Sequence, residues 1–468
     1  MNGKTKSSPA TQSASKLPLR VKLGFGIGDL GGNLFFTAMG FYSLIYLTDT
    51  VGLAASLAGA AILIGKFWDA VTEPTMGYIS DRTRSRWGRR RPYLLFGALP
   101  LLLSMWYFFS APDLASNQTL AFLWAAFALC LLNTAYTVVN IPYGSLTPEI
   151  TKDYQERTSL NGFRFSFAVI GTILGAAVVL PIVSMAGDPH KGYSIVGLLF
   201  GVIMAGTILT TFFTVRETEH TQTAKPKEKF FATFLVVFKN STYMRLAAVY
   251  TLNLTGITFV QTMLVYYFKY IYQNEAMTTI AMLLLLGVAM VCVPISVLVA
   301  KKIGKKRTYQ LALGILTISC LAIFFFAHTL GMIFTFCVMV FAGVGIGFGY
   351  VPPFAMLPDV VEVDAVQTKT RKEGAYYGMW TFFSKIGVAL AAALAGLVLS
   401  LASFVPNVVD QASSALFAIR LMIGPVPALI FLGGILLVQP YPLDEKAYDD
   451  IIASEELDAL EPAETACE

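Results

Sequence analysis

Two carboxylates lie four residues apart within an apolar stretch of the sequence that runs from about residue 54 to residue 79. On a helix, Asp69 and Glu73 share one face and lie about 6 Å apart. An ionised side chain is costly inside a membrane helix, so such residues usually face a polar cavity and mark the path of an ion or a solute. Lys66, one turn before Asp69, adds a supporting positive charge. This pattern predicts a site for a monovalent cation, such as Na⁺ held by Asp69 and Glu73, or for a proton.

A structural salt bridge of these acids with Lys66 and other buried bases is the alternative interpretation. One lysine cannot neutralise two carboxylates, which favours the cation site. Lys385 is a second candidate partner, since it lies about twelve residues into a later apolar span, too deep to reach the membrane surface easily. A buried ammonium group needs a counter-charge, so we expect Lys385 to pair with Asp69 or Glu73.

Polar residues in other apolar spans predict a substrate cavity. Asn33 falls near the middle of the first span. Thr137 and Asn140 are three residues apart and share a helix face, and an amide both donates and accepts hydrogen bonds with substrate hydroxyls. Asn140 also precedes Pro142 by two residues, so its alternative role is to bond carbonyls that the proline leaves free.

Four further residues are assigned to the same cavity. Arg164, near the start of the fifth span, is interpreted as an inward counter-charge and gate, with snorkelling to lipid headgroups as the alternative. Tyr143, Trp380 and Thr381 are predicted to line the substrate surface, although aromatic residues on helices more often serve packing.

Gly26, Gly28 and Gly31 match the GxGxxG pattern of dinucleotide-binding proteins. No strand precedes them, and the segment continues directly into an apolar helix, so nucleotide binding is rejected. Small residues in such a helix instead predict close helix packing.

The composition indicates a helical membrane protein. Of 468 residues, 56% are hydrophobic and 13% are charged, whereas a soluble domain is nearer one quarter charged. Long apolar runs recur without strand-like alternation, which excludes a transmembrane β-barrel. The five cysteines form no CxxC pair and predict neither a disulfide framework nor a metal site. Only three histidines occur, and no Ser/His or metal-ligand pattern supports an integral-membrane enzyme.

Twelve candidate spans follow one another: 24–47, 54–79, 93–112, 118–147, 161–186, 193–215, 243–271, 277–299, 306–327, 330–354, 374–403 and 412–438. The loops after the second and eighth spans are strongly basic, while the exits of odd-numbered spans are nearly free of bases, apart from Lys191 and Lys269. The positive-inside rule predicts that both termini are cytoplasmic in a multi-pass protein of the cell membrane.

The longest connections are predicted at 216–242 and 355–373, and only the first lies midway along the chain. Similar glycine-and-base loops after the second and eighth spans suggest two parallel repeats. The predicted organisation is a cytoplasmic tail (1–22), a six-helix bundle (23–215), a cytoplasmic linker (216–242), a second six-helix bundle (243–439) and an acidic cytoplasmic tail (440–468). The acidic tail is interpreted as solvated, with a regulatory contact to the basic loops as the alternative.

Seven motifs together resemble the glycoside–pentoside–hexuronide:cation symporter family of the major facilitator superfamily, typified by the melibiose permeases. They lie at residues 24–33, 46–53, 68–74, 86–92, 140–146, 357–362 and 384–387. The resemblance implies an all-α fold with twelve transmembrane helices in two bundles, and alternating access driven by Na⁺, Li⁺ or H⁺.

The same resemblance assigns roles to individual residues. It implies a cation site made by Asp69, Thr72, Glu73 and Thr137, with Lys66 as the basic residue before the Trp-Asp pair. It also implies that Lys385 is the family's lysine on helix 11 and Arg164 its arginine on helix 5.

Several positions depart from the melibiose permeases. Asn33 and Asn140 stand where those proteins have aspartate, and Gly144 stands where they have tryptophan. Another glycoside or a uronide is therefore expected instead of melibiose. Thr72 and Glu73 replace asparagine and aspartate of the Na⁺-using permease, which leaves both Na⁺ and H⁺ as coupling ions.

These observations predict a secondary active transporter that couples a cation gradient to uptake of a glycoside, pentoside or hexuronide. The alternative is transport of an amphipathic lipid, such as a lysolipid, on the same fold. The expected partners are a small-molecule solute, a monovalent cation or proton, and membrane lipid. No cofactor, catalytic residue or nucleic-acid partner is predicted, and the functional unit is expected to be a monomer.

Overall fold

Helices make up most of the chain that the structure describes. The structure is a computed structural model that describes residues 17–114, 116–151, 154–217, 237–368, 370, 372–408, 410–443, 447–448, 450–451 and 453. The helices in these ranges are α1 (Leu19–Gly26), α2 (Gly28–Ile45), α3 (Ala55–Arg82), α4 (Arg91–Phe108), α5 (Gln118–Gly144), α6 (Thr147–Ile150), α7 (Tyr154–Ala177), α8 (Val179–Ala186), α9 (Pro189–Thr214), α10 (Ser241–Tyr266), α11 (Met277–Ile303), α12 (Lys305–Thr368), α13 (Glu373–Leu401), α14 (Ser413–Ile423) and α15 (Pro425–Val438). A π-helical turn extends α2 (Tyr46–Thr50), and another extends α10 (Tyr267–Ile271).

The predicted spans coincide with these helices. Within the described residues, ten helical segments are long and apolar enough to cross a membrane. One of them, α12, contains two spans, because Gly331 has a positive φ of 78° and breaks the helix into arms 305–330 and 332–368. The predicted third span corresponds to α4. The prediction of an all-α protein with twelve transmembrane helices in two six-helix bundles is confirmed.

The predicted connection 355–373 is wrong over most of its length. The second arm of α12 remains helical through Thr368, about four turns beyond the predicted end of the span. The apolar sequence ends before Asp359, but the helical backbone continues past it. Lys305 stabilises this extension by an ion pair of 2.6 Å with Asp359. The bounds predicted for the two bundles stay a prediction. Residues 1–16, 218–236 and 454–468, which contain most of the predicted tails and linker, lie outside the described residues.

The basic loop before α4 is anchored by the end of the first bundle. The carboxylate of Glu217 accepts hydrogen bonds from the backbone N–H groups of Arg89, Arg90 and Arg91, at 2.6, 2.7 and 2.8 Å. These N–H groups begin α4 and have no partner within the helix, so a carboxylate is well placed there. We call the end of the molecule that carries this loop and residues 301–307 the basic face, and the other end the opposite face.

Within the described residues, three pairs of helices make the most extensive contacts between the two bundles. The pairs are α3 with α13, α2 with α10, and α7 with α11. The first pair is antiparallel and packs closely through small residues: an added Cβ on Gly59 would lie 2.9 Å from the carbonyl oxygen of Ala393, and one on Gly396 would lie 2.3 Å from that of Ala55. Small residues at such contacts let membrane helices approach closely. This register places the middle of α13 opposite the middle of α3.

Candidate transport site

An ion-pair cluster joins the two bundles at the middle of α3. The Nζ atom of Lys385 lies 2.6 Å from a carboxylate oxygen of Asp69 and 2.6 Å from one of Glu73. The three side chains are only 4%, 16% and 14% exposed for Asp69, Glu73 and Lys385. One ammonium group therefore bridges two carboxylates of the other bundle. We call these three residues the central cluster.

Two threonines surround Asp69. The hydroxyl of Thr137, on α5, donates to the Asp69 carboxylate at 2.8 Å. The hydroxyl of Thr72 instead donates to the backbone oxygen of Asp69 at 3.2 Å, one turn back along its own helix. Of the four residues expected at the cation site, the structure thus brings the side chains of Asp69, Glu73 and Thr137 together, and it places Thr72 beside them.

A proline within α3 shapes this part of the helix. Pro74 lacks an N–H group, so the carbonyl oxygen of Ala70 loses its usual helical partner. A freed carbonyl is the type of oxygen ligand that broken membrane helices offer to ions.

Lys66 is not the partner of the acids. It is half-buried with its Nζ atom 5.7 Å from the centre of the Phe36 ring, and it takes part in none of the ion pairs between described residues. Of the bases in the alternative interpretation, a structural salt bridge with Lys66 and other buried bases, Lys385 therefore pairs with both acids in this structure and Lys66 does not.

A second buried ion pair, which the sequence analysis missed, lies within the first bundle. Arg164 donates to both oxygens of Asp29, from Nε at 2.6 Å and from Nη2 at 3.2 Å. The guanidinium group also lies over the rings of Phe25 and Tyr143, at 5.5 and 5.3 Å from their centres. Arg164 thus points inward and does not snorkel to the surface, but its charge is matched by Asp29.

Tyr143 supports Arg164 from the interior of the first bundle. It is buried, with 1% of its area exposed, and its hydroxyl donates to the backbone oxygen of Phe25 at 2.7 Å. The structure therefore places Tyr143 as a support for Arg164, away from the exposed cavity wall.

Asn33 on α2 and Asn140 on α5 lie where these two helices approach each other. The amide of Asn33 donates to the backbone oxygen of Asp29 at 2.9 Å, and both asparagines are half-buried. Gly32 makes the approach of α5 possible, since an added Cβ would lie 3.1 Å from the hydroxyl of Tyr136 and 3.9 Å from Oδ1 of Asn140. Around Gly144 no atom lies within 4 Å of the position of an added Cβ, so this stretch of α5 borders open space.

The second bundle contributes an aromatic wall. Trp380 stacks on Tyr250 with ring centres 4.2 Å apart, and Tyr250 meets Phe354 edge to face at 5.7 Å. Trp380 itself is buried, whereas Tyr350 is about half exposed and lies within electrostatic range of the pair Asp29–Arg164. Thr381 is exposed, and its hydroxyl bonds the backbone oxygen of Tyr377.

The sequence profile of the MFS/sugar transport protein family matches residues 24–445 of the chain. The chain belongs to this family. An uncharacterized symporter of Synechocystis sp. is 30% identical to it, over 94% of this chain and 97% of the relative. The isoprimeverose transporter of Lactiplantibacillus pentosus is 26% identical, over 91% and 90%. The sodium-dependent lysophosphatidylcholine symporter 1-A of Danio rerio is 25% identical, over 91% and 86%.

A solved structure shows the same fold. The crystal structure of the nucleoside transporter NupG, in a mutant form, superposes with a TM-score of 0.63 at 13% identity and covers 90% of this chain and 99% of that one. The family match and the ten apolar helices in the described residues show a multi-pass membrane transporter of the major facilitator superfamily.

In this transporter the central cluster has the chemistry of an exchangeable cation site. Two carboxylates contact one ammonium group, and the hydroxyl of Thr137 donates to one of them. Oxygen donors of this kind suit hard cations and protons. Among the described residues, no group of three or more His, Cys, Asp or Glu side chains is arranged to hold a metal ion, which leaves no alternative centre of that type in these ranges.

Proposed function

We propose that the protein is a secondary active symporter that couples the influx of Na⁺ or H⁺ to uptake of a glycoside, pentoside or hexuronide. The single observation that supports this most is Lys385 of α13 bridging Asp69 and Glu73 of α3. The contact ties the charge state of a potential cation site to the relative position of the two bundles. The match to a sugar-transport family and to symporter relatives supports the same conclusion.

The proposed mechanism follows from competition for two carboxylates. Na⁺ or H⁺ at Asp69 and Glu73 reduces their negative charge. Lys385 then loses its counter-charge, and its ion pairs with α3 break. The bundles then rock about the central cavity and expose it to the other side of the membrane. When the ion leaves, the lysine returns to the acids. Lys385 thus acts as an internal substitute for the coupling ion.

The solute would bind between the first bundle and the aromatic wall. Asn33 and Asn140 would supply amide hydrogen bonds to sugar hydroxyls, and the exposed ring of Tyr350 a surface for the apolar face of a sugar. Arg164 would contact the solute while it stays oriented by Asp29.

We place the basic face in the cytoplasm and the opposite face outside the cell. Arg86, Arg89, Arg90 and Arg91 on one loop, and Lys301, Lys302 and Lys305 on another, make this the orientation that the positive-inside rule favours. The transporter would act as a monomer in the cell membrane, since each chain contains both bundles and the whole cavity.

Uptake into proteoliposomes tests the proposal. A panel of glycosides, pentosides and hexuronides is offered under separate Na⁺ and H⁺ gradients to the parent protein, Asp69→Asn and Glu73→Gln. We expect one gradient to drive accumulation in the parent, and both variants to lose gradient-driven accumulation while they keep solute binding.

A matched control is Lys22→Gln, which breaks an ion pair of 2.9 Å with Glu156 inside the first bundle. It should accumulate solute like the parent. Unchanged accumulation in both acid variants would refute the cation site, and failure of every solute under both gradients would refute the symporter assignment.

Lysolipid transport is the second candidate, favoured by the relative from Danio rerio and by one surface of α3. Phe67 and Trp68 are 64% and 45% exposed and lie immediately before Asp69. They line an apolar groove, together with Leu63 and Ile64, that could hold an acyl chain. Competition between alkyl glycosides of increasing chain length and lysolipids separates the two: a glycoside transporter gains little from a longer chain, whereas a lysolipid transporter requires one.

A further inference from the structure

A second ion pair joins the two bundles at the opposite face. The carboxylate of Asp49, which is 5% exposed, lies 2.5 Å from Nζ of Lys269 and accepts a hydrogen bond from the hydroxyl of Tyr270 at 2.5 Å. Asp49 follows α2 in the first bundle, and the other two residues follow α10 in the second. Next to them, the hydroxyls of Thr48 and Tyr266 lie 2.7 Å apart across the same boundary.

A third segment closes over this pair. Asn407, in the connection after α13, accepts from Nζ of Lys269 at 3.2 Å and donates from its backbone N–H to the hydroxyl of Tyr270 at 3.1 Å. Its amide also donates to the backbone oxygen of Asp49. Asn407 has a positive φ of 59°, a conformation that asparagine tolerates better than most residues. We call Asp49, Lys269, Tyr270 and Asn407 the latch.

The backbone that carries the latch is irregular in the same way in both bundles. Asp49 lies in the π-helical turn Tyr46–Thr50, and Lys269 and Tyr270 lie in the π-helical turn Tyr267–Ile271. Each turn ends the first membrane span of its bundle. Short π-helical segments are rare and are often found at functional sites. Here two of them lie at equivalent places and face each other. This symmetry favours a functional role over packing alone.

We propose that the latch is the gate of this transporter on the opposite face, closed in the present structure and broken whenever the cavity opens to that side. This inference rests on the proposed transport by alternating access. With the latch closed, α2 and α10 stay together, and below it the helices lie so close that a Cβ added to Gly40 would be 3.1 Å from Oε1 of Gln261, so a solute has no path between these helices.

An ion pair suits a gate that must open reversibly. When the bundles separate, Asp49 and Lys269 exchange each other for water, so the electrostatic energy lost is largely recovered by hydration. The pair also specifies one register of the two π-helical turns, because a displaced lysine would leave a buried carboxylate unpaired. An apolar seal would resist wetting more strongly and would not fix the register.

Accessibility of a reporter cysteine tests the proposal. Gln261 lies eight residues before Lys269 and therefore about 12 Å deeper along α10. In a variant without the five native cysteines, Gln261→Cys is exposed to a membrane-impermeant maleimide from the side of the opposite face. We expect Lys269→Gln and Asp49→Asn each to raise the labelling rate on the order of fivefold or more, because the open state gains population.

The controls separate a gate from a structural brace. The double variant should label no faster than the faster single variant, since both remove one interaction, and Lys22→Gln should label like the parent. If Asp49→Asn does not fold, Tyr270→Phe removes one hydroxyl and should give a smaller rise. An unchanged or reduced labelling rate in folded Lys269→Gln overturns the proposal. If its thermal stability falls at the same time, the ion pair is a structural brace and not a gate. Labelling needs neither solute nor gradient, so this result is independent of whether the symport assay succeeds.

Discussion

The ammonium group of Lys385 lies 2.6 Å from the carboxylate of Glu73, although the two side chains come from different bundles. A movement that separates α13 from α3 at this depth must break this ion pair. If the ion pair stays intact, the two helices must move together. The charge on Glu73 and on its neighbour Asp69 therefore affects the free energy of every arrangement of the two bundles. This linkage is the physical basis of the coupling proposed above.

Removal of the lysine charge should tighten ion binding and abolish coupling. In Lys385→Met the acids no longer have an internal competitor, so we expect the apparent affinity for the coupling cation to rise about tenfold. Release of the ion then limits the cycle, and gradient-driven accumulation falls. Cation-dependent binding, measured calorimetrically, and uptake check the two effects. Lys305→Met is the control, because the ion pair of Lys305 with Asp359 lies within one bundle; an unchanged cation affinity in Lys385→Met would contradict the competition.

Thr137 should matter through its hydroxyl alone. It donates to Asp69 at 2.8 Å, and as a hydroxyl it also has lone pairs for an ion. Thr137→Val keeps the shape of the side chain, and we expect it to raise the cation concentration for half-maximal uptake about fivefold to tenfold, the loss of one hydrogen bond to a charged group. Thr137→Ser should stay close to the parent. Equal behaviour of the two variants would exclude a role for the hydroxyl.

The sequence predicted the central cluster better than its surroundings. Charges inside apolar spans are costly, so Asp69, Glu73 and Lys385 could be selected and even paired without a structure. The partner of Arg164 was missed because Asp29 lies within a glycine pattern that was considered as a nucleotide motif and as a site of helix packing, and not for its acid. The same rule, an acid inside an apolar span, would have found it.

Contacts between helices that are distant in the chain could not be predicted from the sequence, for a different reason. Lys269 is an exception to the distribution of basic residues, and nothing in the sequence marks Asp49 as its partner. Their pairing depends on the register between α2 and α10, which helix periodicity does not contain. The register of α3 on α13 depends likewise on Gly59 and Gly396, whose role becomes visible only when the helices are packed.

Asp29 should set the charge of solutes that the cavity accepts. Its carboxylate occupies two donor positions of Arg164. In Asp29→Asn the guanidinium keeps its place but gains an uncompensated charge, so we expect weaker transport of neutral glycosides and stronger competition by solutes with a carboxylate, by about tenfold in the ratio of inhibition constants. Inhibition by matched neutral and anionic sugars measures this ratio. A ratio equal to that of the parent would show that Arg164 does not meet the solute.

Glu217 should stabilise the basic face and have little effect on the chemistry of transport. Glu217→Ala removes the acceptor for three backbone N–H groups at the start of α4, and we expect a loss of about 2 kcal/mol of stability from the charged hydrogen bonds. Glu217→Gln keeps an acceptor and should lose less. Thermal unfolding in detergent ranks the variants, and a melting temperature of Glu217→Ala equal to that of the parent would exclude the cap as a significant contribution.

The latch should open more readily at higher pH because of Glu275, which lies in the connection between α10 and α11. Burial raises the pKa of Glu275 above its ordinary value; nearby Asp49 adds to the effect and Lys269 opposes it. Three tyrosines also lie within electrostatic range of its carboxyl group: Tyr42, Tyr193 and Tyr270.

A carboxyl group with a raised pKa in the closed state and an ordinary one in the hydrated, open state binds its proton more tightly when the latch is closed. Acid therefore favours the closed latch, and the open state gains population as the pH rises through the range just above that of an ordinary carboxyl group. The measurement is the labelling rate of Gln261→Cys against pH, divided at each pH by the rate in the same protein with Glu275→Gln, so that ionisation of the thiol cancels. We expect this ratio to increase with pH, because the amide cannot titrate. A ratio that stays constant across the range would remove Glu275 from the gate and leave the ion pair of Asp49 with Lys269 to close it alone.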